Sequence, residues 1–284
     1  SKIKLVECYD DRQEESKVLE LIHDSEFSKS EIVILYRTNA QSRVIEDALR
    51  RNAVPYQIVG GVKFYERKEI KDILAYLRII VNPDDNLSLN RIINFPPRGI
   101  GKTSIDKINN YLNENNLSYF NLVVEELPIG SKQKNELNNF LNFIKKINSS
   151  KDRPAIEILL DIVNEIDLKN YYLNQPNVEN HEKWKNVEEL ITSIEEYSEQ
   201  NQDKNLSNFL EEVSLLTDLD KHNRDYDSIT LMTIHSAKGL EYPLVFIVGL
   251  EEGLFPITSY GSLENDIDEE RRLFYVGSTR AMKE

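Results

Sequence analysis

The chain has 284 residues, 40% of them hydrophobic, a formal net charge of -14 and one cysteine. That length supports two folding units at roughly 100 to 200 residues each; the lone Cys8 excludes an internal disulfide, and no run of about 18 apolar residues is present to span a bilayer. The acidic balance excludes a surface that coats nucleic acid indiscriminately, because phosphate binding depends on Lys and Arg displacing counterions, so any nucleic-acid site has to be a local groove. With no signal peptide before Lys2, a soluble, cytoplasmic, reducing setting without a membrane partner is expected.

Residues 4–9 and 32–36 are β-rich runs, and between them Val18, Leu19, Leu21 and Ile22 form a helical stripe. A second helix is expected over 41–52, stopping before Pro55, and a short strand over 56–59 runs into Gly60-Gly61. Alternating strands and helices predict an α/β fold with a parallel sheet covered on both faces. From Lys68 the pattern becomes helix after helix. Ile70, Ile73, Leu74 and Leu77 are spaced i, i+3, i+4, i+7, as are Leu137, Phe140, Leu141 and Ile144, then Ile156, Leu159, Leu160 and Val163, then Leu206, Phe209, Leu210 and Val213. Strands resume at 229–234 and 244–248. The helical block therefore reads as an insertion: a discontinuous α/β domain over 1–84 plus 223–284, and an all-helical domain over 85–222. The polar stretch 218–227 is the expected return linker.

Gly99-Ile-Gly-Lys-Thr-Ser104 imitates a phosphate-binding loop, but the first glycine of G-x-x-x-x-G-K-[ST] falls on Pro96, and proline has no N–H to offer phosphate. The same glycines allow a sharp turn into a helix carrying Ile105, Ile108 and Leu112, capped by Thr103 or Ser104. With Arg98 and Lys102 beside it, that turn can clamp a duplex backbone or can equally be a plain helix start. Asp268-Glu-Glu270 imitates a magnesium-holding acidic box; it precedes an apolar run instead of closing a strand, so these residues read as helix-start charges and no metal site is expected. Trp184 shares a stripe with Val187, Ile191 and Ile194 and is expected in a core.

The chemistry-bearing constellation lies near the end. His235-Ser-Ala-Lys-Gly-Leu-Glu241 follows one strand and precedes another, and Gly277-Ser-Thr-Arg280 ends a helical segment. An arginine delivered this way can stabilise charge on a transferring phosphoryl group, Glu241 can touch the nucleotide, and His235 and Lys238 offer donors to a nucleic-acid phosphate.

Tyr36-Arg-Thr-Asn-Ala-Gln-Ser-Arg43, the run from Val59 to Asp72, Asn82-Pro-Asp-Asp85, Arg98-Gly-Ile-Gly101, Thr233-Ile-His-Ser-Ala-Lys-Gly-Leu-Glu241 and Arg271-Arg-Leu-Phe-Tyr-Val-Gly-Ser-Thr-Arg-Ala281 closely resemble the UvrD/Rep/PcrA family of superfamily 1 DNA helicases. Only the stretch 115–220 is generic. The resemblance implies the C-terminal half of an ATP-dependent 3′-to-5′ DNA helicase, acting in repair or replication. Its second RecA-like motor domain (2A) would be split by a helical insertion (2B). ATP and Mg2+ would be bound mainly by an N-terminal motor domain outside this chain, leaving the chain alone without ATPase activity. By matching positions, Arg280 is the expected arginine finger and Glu241 the second nucleotide contact. His235 and Lys238 link that pair to single-stranded DNA, and Arg37, Asn39 and Arg43 line the strand path, with surface ion pairs as the competing role for both arginines. Gly99, Ile100, Gly101, Lys102 and Thr103 meet the duplex junction. Lys63, Arg67 and Lys68 are either a duplex contact or part of a solvated helix start. Ile257 stands where some relatives carry a polar residue. Partners would be single-stranded DNA, the duplex junction, the N-terminal motor domain, and repair or transcription proteins. The competing readings are a non-catalytic DNA- or partner-binding module and the motor portion of a RecB-like helicase-nuclease.

Overall fold

The computed structural model describes residues 3–149, 152–174, 177–200, 205–222, 227–257 and 264–283. The chain divides into two compact units, Ser1–Arg67 with Leu215–Glu284, and Lys68–Ser214. In chain order α1 (Asp11–His23), β1 (Ile32–Tyr36), α2 (Ser42–Arg51) and β2 (Tyr56–Ile58) open the first unit. The second is built from α3 (Lys68–Val81), α4 (Asn86–Ile92), α5 (Lys102–Asn115), α6 (Ser131–Asn148), α7 (Ala155–Glu165), α8 (Leu168–Leu173), α9 (Val178–Gln200) and the start of α10 (Leu206–His222). Strands β3 (Ile229–Thr233) and β4 (Leu244–Ile247) and helix α11 (Glu264–Ser278) complete the first unit.

The four strands form one parallel sheet in the order β2-β3-β1-β4. β1 is buried along its whole length, as a central strand covered on both faces has to be, and its side chains divide by the period of two. Ile32, Ile34 and Tyr36 join Val18, Ile45 and Leu49 of α1 and α2 on one face. Val33 and Leu35 join Met232, Ile234, Ala237, Phe255 and Leu273 on the other, beneath α11. The α/β expectation with a parallel, doubly covered sheet is therefore what the chain folds into. One expected strand is missing: residues 4–9 form no ladder, and Ile3, Leu5 and Tyr9 are 74%, 75% and 97% exposed. A β-rich composition alone does not make a strand where no neighbouring backbone supplies hydrogen bonds.

In the helical unit, Ile70, Ile73, Leu74 and Leu77 of α3 are fully buried, and α3 packs on α4, α6, α7 and α9. This packing places the first junction at 67/68 instead of the expected 84/85. α3 buries its apolar face among helices, so it belongs to the helical unit although its sequence follows directly on the α/β pattern. The second junction falls at 214/215, inside α10, which continues to His222 through the expected linker; residues 223–226 of that linker lie outside the described residues. In α7 the buried set is Ala155, Ile158, Leu159, Ile162 and Val163, while Leu160 is 38% exposed, so the expected stripe was rotated from the true one. Trp184 is buried with Val187 and Ile194, and Lys169 Nζ lies 5.8 Å from its ring centre.

Candidate functional site

Parallel register brings the strand ends to two edges. At the carboxyl edge Tyr36 lies opposite Thr233, and the Ile234 amide donates to the Tyr36 carbonyl at 2.9 Å. Arg37 and His235 therefore leave the sheet side by side. Three loops meet there. A methyl on Gly60, which has φ +74°, would stand 2.9 Å from Ser236 Oγ, and one on Gly61 would stand 3.4 Å from Asn39 Oδ1. Ser236 is tied back to Thr233, with Oγ to Oγ1 at 2.9 Å. Gln41 Oε1 accepts from the amides of Arg37 and Thr38 at 3.0 and 2.8 Å, holding the turn that carries Asn39. His235 and Lys238 are exposed.

The other edge, where β4 begins, holds Glu241 and Arg280. The Tyr242 amide donates to the Arg280 carbonyl at 2.9 Å and the Met282 amide to the Tyr242 carbonyl at 2.8 Å, a one-residue parallel bridge between Tyr242 and Ala281. The Arg280 guanidinium donates to the carbonyls of Val276 at 3.0 Å and Leu240 at 3.1 Å and to Thr279 Oγ1 at 3.0 Å. Thus residues 39 positions apart in sequence meet, with Arg280 held against the residue that precedes an exposed Glu241. Helix α11 reaches this point by lying close on the sheet. A methyl at Gly277 would stand 3.1 Å from Ile247 Cδ1 and 3.7 Å from Ile234 and Leu35 methyls, so glycine sets the approach distance.

The expected strand-path arginines are placed less simply. Arg43 is only 3% exposed and pairs with Asp47 at 3.6 Å. It belongs to a buried network on α2, so it lies in the interior and neither lines the surface of a strand path nor forms a surface ion pair. Arg50 pairs with both Glu46 and Asp47 at 2.9 Å, Arg67 donates to Ser42 Oγ at 2.7 Å, and Glu46 accepts from Ser42 Oγ, Tyr56 Oη and the Phe64 amide. Burial pushes the carboxyls of Glu46 and Asp47 up, and the adjacent guanidiniums pull them back. Arg67, at 8% exposure, is thus no solvated helix-start charge. Lys63, next to the Glu46-bound Phe64 amide, lies with Nζ 4.6 Å from the centre of the Tyr56 ring.

Arg37 is half-buried and forms a bidentate pair with Glu270, Nε to Oε1 and Oε2 at 3.0 and 3.1 Å and Nη2 to Oε1 at 2.8 Å. Glu270 also accepts the Ile257 amide at 3.2 Å. The reading of Asp268, Glu269 and Glu270 as helix-start charges is corrected: α11 begins at Glu264, Asp268 and Glu269 pair with Arg271 and Arg272, and Glu270 is buried. Its signal was in the sequence, since Glu270, Leu273 and Gly277 follow i, i+3, i+7 and share the buried stripe.

In the helical unit the loop before α5 is rigidly built. Asn94 Oδ1 accepts from the Arg98 and Ile100 amides at 2.8 and 3.1 Å. The Arg98 side chain turns inward, donating to the carbonyls of Ile92 and Phe95 at 2.9 and 2.8 Å and to Tyr76 Oη at 2.6 Å, with Phe140 4.7 Å away. Burial pushes the Tyr76 hydroxyl up to about 12, against the pull of Arg98. Arg98 therefore builds the loop and is not a free clamp. Gly99 has φ +74°, Ile100 is fully buried, and Gly101, rather than Thr103 or Ser104, is the N-cap of α5. Lys102 and Thr103 are exposed. Among the described residues no His, Cys, Asp and Glu group could hold a metal ion, and no helix is long and apolar enough to cross a membrane.

A family model described as the UvrD-like helicase C-terminal domain matches residues 1–284. The ATP-dependent DNA helicase PcrA of Bacillus subtilis (strain 168) is 43% identical over 264 residues, covering 90% of this chain and 36% of that protein. PcrA helicases of Staphylococcus epidermidis and Staphylococcus aureus are 42% and 43% identical, each covering 99% of this chain and 40% of the relative. The chain spans about two fifths of the length of these relatives.

Proposed function

Because the chain belongs to the UvrD-like helicase C-terminal domain family, we propose that it forms the second half of an ATP-dependent DNA helicase of the PcrA type. Its α/β unit is the motor domain 2A and its helical unit the insertion 2B. The observation that carries this reading is the Tyr242–Ala281 bridge, which supports a single edge presenting Glu241 and a backbone-held Arg280. A guanidinium held by carbonyls of two separate segments is oriented before its anion arrives, the arrangement electrostatic stabilisation of a phosphoryl group requires. The donor set fits the terminal phosphate of ATP and does not fit Mg2+, for which the described residues offer no carboxylate cluster. The ATP phosphates and Mg2+ are held mainly by an upstream motor domain, which supplies the rest of the cleft.

His235, Lys238 and Asn39 at the carboxyl edge contact single-stranded DNA, joined by Arg37; Lys63 lies on the adjoining loop. Lys102, Thr103 and the Gly99–Gly101 turn, opening α5, meet the duplex phosphates, with the helix N-terminus adding favourable partial charge. Closure of the two motor domains on ATP and reopening after hydrolysis moves the enzyme along the strand in the 3′-to-5′ direction, in repair or replication within the cytoplasm. The test joins the chain to the upstream motor portion. Arg280→Ala should lower ATP turnover by roughly 10³-fold or more while leaving ATP and single-strand binding in place. Normal turnover in that variant, or DNA-stimulated ATPase activity from the 284-residue chain by itself, refutes the assignment.

A further inference from the structure

Glu270 is a carboxylate buried to 7% exposure on a helix whose neighbouring charges, Asp268, Glu269, Arg271 and Arg272, all face solvent. It holds three segments at once: α11 through its own backbone, the end of β1 through the fork to Arg37, and the loop after Phe255-Pro256 through the Ile257 amide. A bidentate carboxylate–guanidinium pair fixes orientation as well as charge. Because Glu270 occupies the Nε and Nη2 edge, the Nη1 edge of Arg37 has no hydrogen-bond partner among the described residues, and the side chain keeps 19% of its surface exposed beside His235. That free edge suits a phosphate oxygen. Two turns further along α11, about 10 Å at 1.5 Å per residue, Gly277 lies hard against the sheet, and Arg280 follows.

We propose that Glu270 is a positioning residue: it aims the free Nη1 edge of Arg37 at a phosphate of the bound single strand and carries that engagement along α11 to Arg280. The inference rests on the reading of the carboxyl edge as the single-strand path. A phosphate binding at Nη1 pulls on the guanidinium, and the fork passes the displacement to the Glu270 carboxylate. A packed helix moves as a rod, so the shift arrives at the Tyr242–Ala281 bridge and the guanidinium it positions.

The test is hydrogen exchange on the 284-residue chain with and without a single-stranded oligo-dT, whose binding is followed by fluorescence anisotropy. Oligo-dT should slow exchange of the 235–239 amides and, at the far edge, change exchange of the Tyr242 and Met282 amides several-fold. Glu270→Gln keeps the shape and the acceptor for Ile257 but not the charged fork. It should retain the effect at 235–239 and lose it at Tyr242 and Met282. Binding of oligo-dT without a distant change in the wild-type chain overturns the proposal and leaves the helicase reading standing, as does a distant change that survives in Glu270→Gln. Failure of the wild-type chain to bind oligo-dT removes the single-strand path itself, and this inference with it.

Discussion

Replacing Glu46 by alanine should unfold the α/β unit far more readily, and the size of the effect follows from charge counting. Arg43, Arg50 and Arg67 face Glu46 and Asp47 in the interior, three positive groups against two negative, all between 0% and 8% exposed. Glu46→Ala leaves three guanidiniums with one carboxylate and also removes the acceptor used by Ser42, Tyr56 and the Phe64 amide. Part of the loss is offset, because Arg50 keeps Asp47 at 2.9 Å and Arg67 keeps Ser42 Oγ and the Val62 carbonyl. Breaking a buried pair by removing one partner costs about 3–5 kcal/mol, which at roughly 3 °C per kcal/mol lowers the melting temperature by about 10–15 °C. Glu46→Gln preserves volume and one acceptor oxygen, so it should cost about 1–3 kcal/mol. Thermal unfolding followed by far-UV circular dichroism measures both, while fluorescence of Trp184 reports the helical unit separately. A Glu46→Ala melting point within a degree of wild type, or a Gln variant as damaged as the Ala variant, would refute the view that buried charge imbalance dominates at this position.

Arg98→Ala should destabilise the helical unit by about 1–3 kcal/mol, because the Ile92 and Phe95 carbonyls and the Tyr76 hydroxyl lose a charged donor, keeping only the Phe95 amide and the bond between Tyr76 and Phe95, and the Phe140 ring loses its guanidinium. Lys102→Ala should change stability by less than about 0.5 kcal/mol and instead weaken duplex binding with a reduced salt dependence; equal melting losses in the two would dissolve the distinction. Asp85 caps α4 by accepting from the Ser88 amide and hydroxyl; burial raises its carboxyl, the Ser88 bonds outweigh that, and the net pKa is lowered. A depressed folded value means stability present above the unfolded pKa of about 3.9 and lost as pH falls through the folded one, so Asp85→Ala should cost about 1 kcal/mol at pH 7 and little at pH 2. A cost independent of pH in urea titrations would contradict the cap. At Gly277, alanine should be nearly neutral, a gain of about 1 kcal/mol in helix propensity offset by the 3.1 Å approach to Ile247, whereas leucine should cost about 1–3 kcal/mol or more by displacing α11; equal melting temperatures for the two variants would mean the helix does not lie where it is described.

The regular elements were legible because their periods are physical. Four α3 residues at helical spacing are fully buried, and β1, a continuous apolar run, is one of the two central strands. The β-rich run at residues 4–9 forms no strand because a ladder needs a partner that local sequence does not reveal. The helix at Lys102 was legible but its cap was not, since Gly101 caps without a side-chain hydrogen bond. Buried charge was the least legible feature. Arg43, Glu46, Asp47, Arg50 and Arg67 look like solvated residues by hydropathy, and each is buried because its opposite lies three or four residues away or across the following loop. The pairing of Arg280 with the Leu240–Glu241 segment was beyond local reading, for it depends on a bridge between chain segments 39 positions apart. What the sequence did carry was the chemistry of each residue type, before any geometry joined them.

Across one face of the sheet two segments run from Arg37 and His235 to Glu241 and Arg280. The segment from Ile234 to Glu241 leaves the carboxyl edge, passes over β1 with Ile234 and Ala237 buried beneath α11, and emerges where β4 begins. Helix α11 spans the same face, from Glu270 beside Arg37 to Arg280 beside Glu241. The opposite face, under α1 and α2, packs as tightly through Ile34, Ile45 and Leu49 but carries neither connection. Close-packed interiors transmit displacement and do not absorb it. On the coupling proposed above, a disturbance at His235 or Arg37 has two parallel routes to Arg280 through one layer of side chains. Core substitutions on the two faces can then cost equal stability and differ in consequence, because those beneath α11 lie between the two sets of proposed functional residues.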